Sequence, residues 1–181
     1  MPQTVETYYP QANDPVSRFS QVTWALTGLM VSLWVGLIIA APILKENGFI
    51  VAASWIYSPF SYLCHQMSVR SFHVHDEPFA VCARCFGVYF GLAFGVLIYP
   101  LVRSLNDLQP LPRILLLLSP VPTTVDFLLG YLGIWENTHL SRFLTASILG
   151  LGCAFFLVPG VIEISRFAFQ KYLAKNQRRT V

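Results

Sequence analysis

A chain of 181 residues that is 55% hydrophobic and only 12% charged lies far from the soluble balance of about 25% charged residues. It reads as a membrane protein, and a soluble enzyme is excluded. The formal charge of +3 is unevenly placed, since five of the twelve Lys and Arg (Arg166, Lys171, Lys175, Arg178, Arg179) fall in the last sixteen residues. Basic residues gathered after an apolar run report membrane orientation, and no nucleic-acid partner is expected.

Residues 1–21 form a polar lead-in with the pair Tyr8 and Tyr9. Glu6, Asp14 and Arg18 stand there without the basic start and short apolar run of a cleaved signal peptide, which is not expected. From Val22 to Leu44 the chain is uncharged and about as long as a crossing of roughly 20 residues requires. Lys45 to Gly48 break this first span. Phe49 to Leu63 is apolar again but short, with Ser58-Pro59 inside it, and its length predicts a re-entrant or interfacial helix. That helix delivers Cys64, His65 and Gln66.

Met67 to Ala80 is a polar connection, and Val81 to Val102 is the second span. Gly87, Gly91 and Gly95 recur every four residues on it, giving one smooth face for another helix. Arg103 to Arg113 is a polar loop with the turn formers Asn106, Pro110 and Pro112. The third span, Ile114 to Trp135, carries Pro120, Pro122 and the carboxylate Asp126, which is costly in a membrane and therefore a candidate functional residue. Glu136, Asn137, His139 and Arg142 make the next polar corner. The fourth span, Phe143 to Ile164, opens with small residues suited to the glycine face; Cys153 reads as buried packing and Glu163 as a solvated helix terminus. The expected fold is all-α: a polytopic membrane protein of about four transmembrane helices plus one short helix. Its expected parts are the 1–21 segment, a helical domain at 22–165 and a basic tail at 166–181.

Counting spans back from a cytoplasmic basic tail places the Cys/His stretch and the Glu136 to Arg142 corner on the outer, non-cytoplasmic side, with Asp126 in the outer half of its helix. Three of the four cysteines and three of the four histidines lie between Leu63 and Gly91. Cys82 and Cys85 form a C-x-x-C pair that can grip one ion, and Cys64 with His65 completes a Cys3His set suited to zinc or iron. His73 or His75 can stand in for His65. Arg70 and Arg84 offset thiolate charge, and Asp126 can orient a ligand. A second reading is thiol redox chemistry at Cys82 and Cys85, passing electrons to a quinone. A third is an anion or anionic lipid held by Arg70, Arg84 and Arg142 with Gln66 and Asn137. A fourth is a purely structural cysteine site. Asp126, Glu136, Arg84 and Arg142 are the catalytic candidates, and whether the site performs a reaction stays open.

C-H-Q at Cys64 to Gln66, R-S-F at Arg70 to Phe72 and C-A-R-C-F-G-V-Y-F-G at Cys82 to Gly91 carry a resemblance. So do P-x-x-x-D at Pro122 to Asp126, E-N-x-x-x-x-R at Glu136 to Arg142, and then Thr145 and Gly150. Together these motifs resemble a family of small prokaryotic membrane proteins, the domain of unknown function 2085, across about Ser61 to Gly152. The resemblance implies a few-helix membrane protein with a Cys-rich site and no established activity. Family members typically carry glycine after the aspartate, where this chain has Phe127.

Overall fold

The computed structural model describes residues 15–109 and 111–177. Most of the 1–21 segment, with Tyr8 and Tyr9, lies outside the described residues, as do Pro110 and, in the tail, Arg178 and Arg179. In a bilayer an apolar run can satisfy its backbone only internally, so the apolar stretches become helices. In chain order these are α1 (Pro15–Glu46), α2 (Ile50–Ser61), α3 (Ala83–Val102), α4 (Arg113–Leu118), α5 (Val121–Tyr131) and α6 (His139–Gln177). A small antiparallel hairpin, β1 (His73–Val74) with β2 (Glu77–Pro78), lies between α2 and α3. Four segments are long and apolar enough to cross a membrane: Ser17–Glu46, Ala83–Val102, Arg113–Tyr131 and His139–Lys171.

The boundaries differ from the sequence reading in three places. α1 begins at Pro15 and not at Val22, so residues 15–21 of the polar lead-in are helical. The third span breaks at Ser119 and Pro120 into α4 and α5 and stops at Tyr131, because proline cannot donate to the preceding turn and Gly133 takes a φ of +69°. The fourth helix does not stop at Ile164. It continues to Gln177 past an exposed Glu163, which is therefore a mid-helix residue and not a terminus. No proline or glycine follows Gly160 to end it.

α2 has 12 residues, or about 18 Å, too short for a hydrocarbon core of roughly 30 Å. Gly48, at φ +82°, reverses the chain after α1, and the Phe60 ring lies 4.9 Å from the Trp34 ring. α2 therefore doubles back beside α1. Along the antiparallel α1 and α3, Trp24 Nε1 donates to Val96 O at 2.7 Å, and the Trp34 and Tyr89 rings stand 6.0 Å apart. Nearer the start of α3, Ala80 N donates to Ile38 O at 3.4 Å. The last two turns of α1 thus run beyond the start of α3 and support the hairpin, through Lys45 to Glu77 at 2.6 Å and His75 to Glu46 at 2.8 Å.

α3 and α6 run parallel in close contact. A Cβ on Gly87 would lie 2.4 Å from Phe143 O, one on Gly91 2.1 Å from Ser147 O, and one on Gly150 2.1 Å from Val88 O. Only bare backbone permits that approach. At the far end Arg166 Nε donates to Ser20 Oγ at 2.8 Å and its guanidinium donates to Asn106 Oδ1 at 2.9 Å, while Phe19 stacks on Phe169. The start of α1, the loop after α3 and the distal part of α6 share one side of the bundle. The Cys/His stretch and the α5–α6 corner share the other.

Candidate functional site

The site is built at the amino end of α3. α2 ends at Ser61, and Cys64 drops into an apolar cluster with Ile38, Phe60, Val81 and Phe86, leaving it 6% exposed. Its Sγ accepts the backbone N–H of Cys82 at 3.2 Å, so a thiol from another segment serves an orphan donor where α3 begins. Cys82 is the residue just before the helix, and Cys85 lies in its first turn. The Sγ atoms of Cys64, Cys82 and Cys85 all lie within 4.8 Å of one another, and all are free thiols. A zinc ion binding sulfur at about 2.3 Å sets tetrahedral neighbours about 3.8 Å apart, so small side-chain rotations suffice to close this set on a metal. The Cys82 thiol is held well below its ordinary value, at about 5. A hydrogen bond from the Cys85 thiol does most of this, burial opposes it, and backbone N–H groups and the Cys64 thiol add to it.

Gln66 sits at a left-handed φ of 47°, and its Nε2 donates to Tyr57 O at 2.8 Å and Ala80 O at 2.9 Å. It ties α2 to the approach of α3 and does not line the cavities described next. This bracing was not legible from composition, because both acceptors are backbone carbonyls of other segments. His65 is exposed and lines the cysteine cavity, but its ring nitrogens stand outside the three-sulfur cluster. His73 and His75, the alternatives to it, have other partners. Both lie on the hairpin, where the His73 ring meets Ser68 Oγ at 2.9 Å and His75 pairs with Glu46.

The arginines and acids converge on the same place from three elements. Arg84, between the two α3 cysteines, donates to Asp126 Oδ2 at 2.8 Å. Asn137 Nδ2 donates to the same oxygen at 2.9 Å and to the Asp126 carbonyl at 2.5 Å. Gly130 makes room for this, since a Cβ there would lie 2.2 Å from Asn137 Oδ1. Asp126 is 8% exposed, and its burial is compensated by these two partners. Phe127 also takes part: the Arg84 guanidinium lies 5.3 Å from its ring centroid, so an aromatic face supports the cation.

Two cavities adjoin here. One, of about 280 Å³, is lined by Cys64, His65, Cys82 and Cys85 with Arg70, Arg84 and Arg142. The other, of about 500 Å³, is lined by the same three arginines with Glu136, Asn137 and the aromatics Phe127, Tyr131 and Trp135. Those aromatics were not singled out as a wall, although their i, i+4, i+8 spacing on and just past α5 was available as a signal. The Nε–H groups of Arg84 and Arg142 are buried without a hydrogen-bond partner, each costing about 1–3 kcal/mol if left so. Cys153 on α6 takes no part in the cluster.

The profile of a family described as "Predicted membrane protein (DUF2085)" matches residues 64–156, from Cys64 through the α3–α6 contact. An uncharacterized protein of Methanocaldococcus jannaschii is 36% identical over 109 residues, covering 60% of this chain and 70% of that one. An uncharacterized protein of Methanothermobacter thermautotrophicus is 33% identical over 95 residues, covering 52% of this chain and 84% of that one. No solved structure matches.

Proposed function

The chain belongs to the DUF2085 family of predicted membrane proteins, and we propose that it is a membrane-embedded metal-thiolate protein holding zinc or iron at Cys64, Cys82 and Cys85. The observation that supports this is the approach of the three sulfurs to within 4.8 Å of one another from two separate chain segments. Thiolates suit these metals, and the amino end of α3 favours negative charge on its neighbours. Arg70, Arg84 and Arg142, which line the same cavity, offset that charge. His65 can turn in as fourth ligand and close a structural site; left out, it leaves a position open to a small ligand. A metal held there supplies Lewis acidity in the open case and cross-links the loop to α3 in the closed one. Asp126 and Asn137 fix Arg84, while Glu136 and Arg142 line the adjoining cavity as the remaining acid and cation. We place the site on the non-cytoplasmic face, because the basic residues after Glu163 favour the cytoplasm for the opposite end.

Elemental analysis of detergent-purified protein tests the metal reading. We expect about one equivalent of zinc or iron per chain, lost in Cys64→Ser and Cys82→Ser and kept in Cys153→Ser. A second reading, thiol oxidoreduction by Cys82 and Cys85, is favoured by the Cys82 thiol held near 5 beside a second free thiol. Metal-free wild-type protein with a reducible Cys82–Cys85 bond would move the conclusion to it.

A further inference from the structure

The larger cavity points to a ligand that the cysteines do not explain. We propose that it binds a phosphate group, carried by a lipid head group or free in solution, between Arg70, Arg84 and Arg142. Three guanidiniums drawn into one wall repel each other, and the carboxylates available are Glu136 in the lining and Asp126 paired to Arg84. Three positive charges against two negative leave the group cationic. Neither Arg70 nor Arg142 makes a side-chain hydrogen bond or ion pair to any described residue, and the buried Nε–H groups of Arg84 and Arg142 are unpartnered.

Planar N–H forks left open around one space are suited to an oxyanion with several acceptor oxygens, for which arginine is the preferred partner. A phosphate group offers three acceptor oxygens against a carboxylate's two, and so can engage more of these N–H forks. A volume of about 500 Å³ is within the roughly 300–1,000 Å³ of small-molecule sites. Phe127, Tyr131 and Trp135 extend the wall as an apolar strip, and Tyr131 and Trp135 are 77% and 63% exposed. Such a strip suits the acyl chain of a lipid whose phosphate the arginines hold. The three arginines line both cavities, so the charge they lend the thiolates is shared with this site.

The test uses full-length protein reconstituted in phosphatidylcholine vesicles, with the fluorescence of Trp135 isolated by difference from Trp135→Phe. Brominated phosphatidic acid, brominated phosphatidylcholine and inorganic phosphate are titrated separately. We expect saturable quenching by phosphatidic acid beyond that by phosphatidylcholine if the source is a lipid. If the source is soluble, inorganic phosphate should change the signal saturably and compete. Either affinity should fall at least about tenfold in Arg142→Gln and in the loop variant Arg70→Gln, and persist in Cys82→Ser. The two variants on separate elements guard against misfolding of one. Absence of saturable binding by both phosphate sources in wild type would overturn the proposal. So would affinities unchanged in both arginine variants. Loss of metal in Cys82→Ser with phosphate binding retained separates this site from the thiolate site.

Discussion

Replacing Gly91 by alanine puts one methyl group into one of the two tightest places between α3 and α6. The new Cβ would stand 2.1 Å from Ser147 O and 2.8 Å from the Ser147 C and Cα atoms. A carbon meets a carbonyl oxygen at about 3.3 Å or more, so α3 and α6 must part by about 1.2 Å at this level. The obstruction is backbone on a regular helix and cannot rotate away as a side chain would. Alanine gains up to about 1 kcal/mol over glycine in helix propensity, whereas overpacking of this kind costs about 1–3 kcal/mol and also loosens the Gly87 and Gly150 contacts on either side. The clash wins, and we expect a net loss of about 1–2 kcal/mol. Reversible unfolding in mixed detergent and sodium dodecyl sulfate measures it. Gly36→Ala supplies the control, because a Cβ there meets nothing within 4 Å and the propensity gain stands alone. Equal stability of the Gly91 and Gly36 variants would refute the close-contact account of α3 and α6.

Two further outcomes are expected. Asp126→Asn keeps the shape of the side chain but leaves Arg84 without its carboxylate, and should destabilise the protein by about 1–3 kcal/mol, the lower end reflecting the partial exposure of Arg84. The double variant Arg84→Met with Asp126→Leu should recover much of that loss; strictly additive losses would show that the pair is not coupled. For orientation, Asp76→Cys places a thiol on the exposed hairpin, where a membrane-impermeant maleimide should reach it from outside intact cells. Reaction only after lysis would put the cysteine site on the cytoplasmic side. The buried Cys64 is unsuited to this measurement.

Span number, the short α2 and the glycine face were legible because each depends on local quantities. Apolar length decides crossing, and a four-residue glycine repeat exposes backbone on one face whatever lies opposite. The side shared by the Cys/His stretch and the α5–α6 corner followed from counting spans. The ends were less legible: α6 runs on to Gln177 because no breaker stops it, while the third span yields at Ser119 and Pro120.

By itself, the sequence determined that this is a helical membrane protein and which polar residues had to be accounted for in an apolar setting. Only the tertiary structure decided their partners. Cys64 reaches Cys82 because α2 folds back along α1, Arg84 meets Asp126 across 42 positions of sequence, and His73 and His75 are carried away on the hairpin. Periodicity describes one helix at a time. Which side chains converge depends on how separate helices pack, and here the bare α3–α6 contact brings Arg142 to the arginine and thiol side of α3.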